Sequence, residues 1–153
     1  MKYIKLSGLM LAALFMANCK KESASPSGGT PAGSSCATEC SYTLMSGEEA
    51  AAIPKSVQGT YKLVYQFAES GSLFSNGTKA TAVFSDKTLY IKVEGFDCIT
   101  LKNPVLRGAD NYLFKDNCRD SITYNVSANG DGTFAEINIE PIGQGFYGQF
   151  AKQ

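Results

Sequence analysis

From Tyr61 onward the apolar positions recur every second residue. Tyr61, Leu63, Tyr65 and Phe67 alternate with Lys62, Val64, Gln66 and Ala68, the period of a strand with one apolar face. Asn76-Gly77 then marks a tight hairpin turn, because that pair tolerates the positive φ such turns need. Lys79 to Ser85 reads as a second strand and Thr88 to Glu94 as a third, with Leu89, Ile91 and Val93 on one face. Cys98 to Leu101 is a fourth, interrupted by Pro104, which cannot donate to a ladder. Tyr112 to Lys115 is a fifth. Ile122, Tyr124 and Val126 mark a sixth, and Ala135, Ile137 and Ile139 a seventh between Phe134 and Glu140. Phe146 to Ala151 is the last, with Phe146 and Phe150 on one face. Ahead of them Ser46 to Ile53 predicts one short helix: Ser46 caps it, Glu49 completes a capping box and Pro54 ends it. The expected fold is all-β, a small antiparallel meander closing as an up-and-down barrel so that no aromatic face and no open edge is left bare.

The entry into the first long strand, Val57-Gln58-Gly59-Thr60-Tyr61, is similar to the Gly-x-Trp start of lipocalins, with Tyr in place of Trp. The resemblance implies a lipocalin-like barrel and, as one option, a carrier of a small apolar ligand bound by Tyr61, Tyr65, Phe67, Tyr124 and Phe146. The same faces equally describe a small barrel that fills its interior with its own side chains, and that reading is preferred.

Before residue 36 the pattern is different. Lys2 and Lys5 precede an apolar run from Leu6 to Ala17, long enough for a secretory signal and short of the ~20 residues that span a bilayer. The run closes on Leu14-Phe15-Met16-Ala17-Asn18-Cys19. Ala17 and Cys19 resemble the lipobox of bacterial lipoproteins. The usual Leu three positions before the cysteine is Met16 here, and the usual Gly or Ala just before it is Asn18. This resembles the relaxed form found in spirochaetes such as Leptospira, and Cys-Lys-Lys-Glu starts also occur in Bacteroidetes lipoproteins. The resemblance implies a signal peptide over 1–18 and acyl chains on Cys19. It also implies attachment to the cell envelope, at the outer membrane facing either the periplasm or the exterior. Residues 22–35 are Ser, Gly, Thr, Pro and Ala apart from Glu22. With no bulky apolar group to bury they read as a tether, so the organisation expected is signal (1–18), lipidated Cys19 and tether (19–35), and β-domain (36–153).

Taking Cys19 for lipid leaves Cys36, Cys40, Cys98 and Cys118, an even number in an exported chain and hence two disulfides. Cys98 with Cys118 and Cys36 with Cys40 is the preferred pairing, since the first two flank a turn at Arg107-Gly108-Ala109-Asp110. The rival ties Cys36 and Cys40 to Cys98 and Cys118. The spacing does not resemble paired CxxC zinc ligands or a redox CxxC.

Composition narrows the chemistry further. The chain has no His, which excludes Ser-His-Asp and Cys-His nucleophile activation and His-ligated zinc. Without residues 1–18 it holds 12 basic and 14 acidic groups, a balance with no footprint for nucleic acid. No cofactor, metal or catalytic set is expected. Asn129-Gly130-Asp131-Gly132 reads as a turn and not a calcium loop. Asp116, Arg119 and Asp120 read as a solvated charged loop, and Glu136 and Glu140 as a solvent face. The function expected is a non-catalytic binding or adhesion module. Its partners would be the membrane, through the lipid on Cys19, and host or envelope proteins.

Overall fold

The computed structural model describes residues 36–153. The expected signal peptide, Cys19 and the tether lie outside the described residues. The domain is all-β. Ten strands form one mixed sheet curled into a half-barrel: β1 (Thr38–Ser41), β2 (Gly59–Gln66), β3 (Lys79–Ser85), β4 (Thr88–Val93), β5 (Ile99–Lys102), β6 (Val105–Leu106), β7 (Asn111–Asp116), β8 (Ile122–Ala128), β9 (Phe134–Pro141) and β10 (Gly148–Lys152). Their order is β1-β5-β4-β3-β2-β10-β9-β8-β7-β6. Every pair is antiparallel except β1 with β5, where Thr38 stands opposite Ile99 and Cys40 opposite Leu101.

Two expectations are corrected here. The fold is not a simple eight-strand up-and-down barrel, because β1 and β6 add a parallel strand and a short edge strand at the two ends of the sheet. The predicted helix over Ser46 to Ile53 is also absent: the segment turns at Gly47 (φ +86°) and then runs extended, with Ala50 bridged to Val105. Its backbone is claimed by the sheet, since Ala51 N–H donates to Pro104 (2.9 Å) and Leu106 N–H donates to Glu49 (2.8 Å). Glu48, a helix-favouring acid on sequence, is drawn off to Lys115 and Tyr42. Tertiary pairing has overridden a local cap worth only ~1 kcal/mol.

The alternation read from the sequence holds through the centre of the sheet. Ala80, Ala82 and Phe84 of β3 and Leu89, Ile91 and Val93 of β4 all point inward. They meet Leu63, Phe114, Val126, Ile137 and Phe150, each fully buried. The two ends of the half-barrel are filled by aromatic rings. At one end Tyr61 lies 4.4 Å from Phe134, and Phe84 lies 5.3 Å from the same ring. At the other, Tyr65 packs on Phe150 (4.8 Å) and on Phe74 (5.3 Å), and Phe74 meets Phe96 (5.1 Å). Phe74 reaches the core from the β2–β3 loop, which folds over that end and is held there by Tyr65 Oη and Ser72 Oγ, 2.7 Å apart. Each such pair adds ~1 kcal/mol beyond the area it buries.

The curled sheet leaves a seam between β1 and the β6–β7 edge, and residues 42–51 fill it. Tyr42 N–H donates to Lys102 (3.2 Å), and Asn103 Nδ2 donates to the Tyr42 carbonyl (3.2 Å). Lys115 of β7 crosses to Glu48 and donates to Tyr42 Oη at 3.0 Å.

Candidate functional site

Strand direction gathers the N-terminus of the domain and four loop segments at one end. Residue 36, the β2–β3 loop (67–78), the β4–β5 turn (94–98), the β7–β8 turn (117–121) and the β9–β10 loop (142–147) all lie there. This end holds most of the residues singled out on sequence.

Both disulfides lie at this end, and they follow the pairing that the sequence reading ranked second. Cys36 joins Cys98, with Cα atoms 5.5 Å apart, and Cys40 joins Cys118, at 5.9 Å. The first staples the segment entering β1 to the strand β1 already pairs with. The second joins β1, the first strand of the sheet order, to the turn after β7, the ninth. It therefore closes the half-barrel across its seam. Two such bonds fit an oxidising, non-cytoplasmic compartment.

Asp116 corrects the picture of a solvated charged loop. It ends β7 on the inward face and is fully buried. Its Oδ1 accepts the N–H groups of Cys118 (3.2 Å) and Arg119 (2.9 Å), a side-chain-made turn that aims Cys118 at β1. Arg119 stands 3.9 Å from the other Asp116 oxygen and 2.6 Å from Asp120, and it donates to the Asp97 carbonyl at 2.9 Å. The cluster thus binds the β7–β8 turn to the β4–β5 turn. The signal for it was present, because Tyr112, Phe114 and Asp116 share one parity. Beside it Tyr124 is fully buried, and burial pushes its phenol far above the ordinary tyrosine range.

The five side chains proposed to line a ligand cavity do not converge. Tyr65 and Tyr124 are enclosed in the core, and Tyr61 is half-buried between Phe84 and Phe134. Phe67 and Phe146 are exposed, at 64% and 41%. Both depart from the inward parity of their strands for a local reason. Phe67 takes a left-handed backbone (φ +54°) just after β2 stops at Gln66, so its ring turns outward. Phe146 lies in the loop before β10, which starts only at Gly148.

A shallow depression of about 270 Å³ lies on the outer face of β2–β4, among Lys62, Lys79, Lys92 and Glu94. Another of about 410 Å³ lies at the seam, between Tyr42, Leu44, Ala50, Lys87 and Pro104. None of the five residues borders either. Glu140 accepts from Arg107 (2.9 Å) and from Asn125 (3.0 Å), so it braces strands instead of pairing with Glu136 as a second carboxylate. Asp131 accepts the N–H (2.9 Å) and hydroxyl (2.7 Å) of Thr133, bonds that hold its carboxyl below the ordinary range and close the 129–132 turn. Glu140 and Asp131 thus each have a structural task.

The seam holds a strongly perturbed carboxylate. The hydrogen bond from Lys115, with smaller help from the Met45 N–H and Tyr42 Oη, lowers Glu48 from 4.5 to about 2. Burial pulls Lys115 down, but its bonds to Glu48 and Tyr42 outweigh it and hold the amine above its ordinary range. A carboxylate with a depressed folded pKa contributes stability that is complete above pH 4.5 and drains away as pH falls through about 2. Urea midpoints measured between pH 6 and pH 2.5 should therefore fall less steeply in Glu48→Gln than in the parent. A residual slope from Asp131 remains in both. Parallel curves would show that the Lys115 clamp carries no acid sensitivity.

Compared with protein-family models, with curated proteins and with solved structures, the chain gives no match. The functional reading rests on the chain itself.

Proposed function

We propose that the protein is a lipid-anchored bacterial envelope lipoprotein whose β-domain serves as a non-catalytic binding or adhesion module. The observation that carries the reading is the run Leu14 to Cys19 followed by Lys20-Lys21 and a Ser/Gly/Pro-rich stretch up to Ser35. Several acyl chains on one cysteine give firm attachment where a single chain gives marginal binding. The domain geometry supports it. The chain enters the fold at Cys36 and is cross-linked to Cys98 at once, so a pull through the N-terminal segment is borne by a covalent bond and not by the edge pairing of β1 alone. In finer terms the half-barrel is read as lipocalin-like, but its packed interior favours recognition by the outer surface over carriage of an apolar ligand.

Replacing Cys19 by serine is expected to abolish radiolabelled-palmitate incorporation and to shift the protein from the membrane fraction to the soluble or unprocessed pool. Continued labelling of Cys19→Ser would remove the anchor assignment. Protease treatment of intact cells then separates the two faces: degradation supports adhesion at the surface, and full protection restricts binding to partners within the envelope.

A further inference from the structure

Exposed large apolar side chains concentrate at the end of the half-barrel where the chain from Cys19 enters. Of the six among the described residues, Phe67, Leu73, Ile142 and Phe146 are at this end, while Leu44 and Met45 are at the other. The four belong to two adjoining loops. Glu69 N–H donates to the Tyr147 carbonyl (2.9 Å), fixing the β2–β3 loop against the β9–β10 loop. Ile142 N–H donates to Ser121 (3.0 Å), fixing the β9–β10 loop to the next turn. The rim also connects to the point of chain entry. Cys36 is bonded to Cys98, and Phe96, two residues before Cys98, packs on Phe74 of the loop that carries Phe67 and Leu73. Phe67 is held outward in a left-handed backbone that a bulky residue rarely adopts. The core does not use it.

We infer that this rim, Phe67, Leu73, Ile142 and Phe146, docks on the lipid surface to which Cys19 is anchored. The inference rests on the anchor reading above. Only the residues from Lys20 to Ser35 separate Cys19 from the domain, and a coil of that length spans about 20 Å. The end facing the bilayer is the end that bears the rim. Tethering at that distance gives a high effective concentration, so the shallow insertion of a few apolar side chains suffices. The exposed charges at this end are of both signs, Glu69, Glu94 and Asp97 beside Lys79, Lys92 and Arg119, so no net charge selects anionic headgroups and zwitterionic lipid is the fitting surface. Docking would hold the opposite end, with Leu44 and Met45, away from the membrane.

The chain has no Trp, so one introduced at the rim is a clean reporter. Full-length protein purified from bacterial membranes, carrying Phe67→Trp, Phe146→Trp or Leu44→Trp, is reconstituted on phosphatidylcholine vesicles with and without brominated acyl chains. Apolar side chains that dock insert ~5–10 Å, so bromine should quench Trp at 67 and 146 about twofold more than at 44. Parent protein on the same vesicles, compared with soluble Cys19→Ser protein, should show slowed hydrogen exchange in 67–76 and 142–147 and unchanged exchange in 43–48. This second measurement needs no rim substitution. Flotation with the vesicles but equal quenching at all three sites, or no gain in protection, overturns docking and leaves the anchor intact. Failure to float overturns the anchor, and docking with it. Protection of the same loops without vesicles as protein concentration rises would assign the rim to a second copy of the chain and overturn the membrane assignment.

Discussion

Replacing Cys40 and Cys118 together by alanine is expected to lower the unfolding free energy by roughly 3–4 kcal/mol, the larger part of what a cross-link of this loop length contributes. The bond closes 78 residues of sequence, and in the unfolded chain a loop of that size removes about 4 kcal/mol of conformational entropy. Its place in the fold adds a native-state consequence. It joins the first strand of the sheet order to the turn after the ninth, so without it the seam is held by the Lys115 clamp, the Arg119–Asp97 bond and the hydrogen bonds of residues 42–51. The Cys36–Cys98 bond closes 62 residues, and because closure entropy grows only with the logarithm of length, the unfolded-state effect of the two bonds differs by only a few tenths of a kcal/mol. A cost clearly larger for the Cys40/Cys118 variant than for Cys36→Ala/Cys98→Ala therefore measures the seam itself. Urea unfolding of both variants under oxidising conditions gives the comparison, and hydrogen exchange should open first in β1 and β7 of the former. Equal losses would show that neither bond does more than shorten the unfolded chain.

The pairing of those cysteines was not legible because sequence spacing constrains it weakly. Cys98 and Cys118 do lie on either side of a turn, but β5 and β7 are the second and ninth strands of the sheet order and do not pair, while β1 pairs with β5 and carries Cys40. β1 itself, Thr38-Glu39-Cys40-Ser41, carries a single apolar residue, so no period announces it. The central strands were legible for the opposite reason: one buried face imposes strict alternation, and a one-residue slip would expose the whole set. The same rule misled at the strand ends. Phe67 and Phe146 continue the parity of Tyr65 and Phe150, yet the backbone leaves the ladder before it reaches them. The rim is thus written in the sequence as core and appears as surface only once the strand ends are known. Asp116 errs the other way, a charge that parity places inside and composition places outside. Its buried position is tolerated because two backbone N–H groups and Arg119 stand against it.

Gly148→Ala is expected to cost about 3–4 kcal/mol, from one steric and one backbone term. Gly148 opens β10 with φ +145°, a region that side-chain-bearing residues reach only at ~1–3 kcal/mol. A methyl group there would come within 2.6 Å of Tyr65 Cζ and 2.9 Å of Cε1. The Tyr65 ring has nowhere to retreat. It is fully buried, packed on Phe74 and Phe150, and pinned through its hydroxyl to Ser72. Pushing it aside would lift the β2–β3 loop from the end it covers, so the damage should extend to residues 67–76. Forced overpacking of a well-filled core adds ~1–3 kcal/mol. A double-mutant cycle separates the two terms. In a Tyr65→Ala background the ring is gone, and Gly148→Ala should cost only the backbone share, leaving a coupling of about 1–2 kcal/mol between neighbours in contact. Urea unfolding of the four proteins supplies the cycle. An unaltered cost in the Tyr65→Ala background would assign the whole effect to the φ of Gly148, and a cost below about 1 kcal/mol in the parent would show that the end of the half-barrel yields where its packing says it is tight.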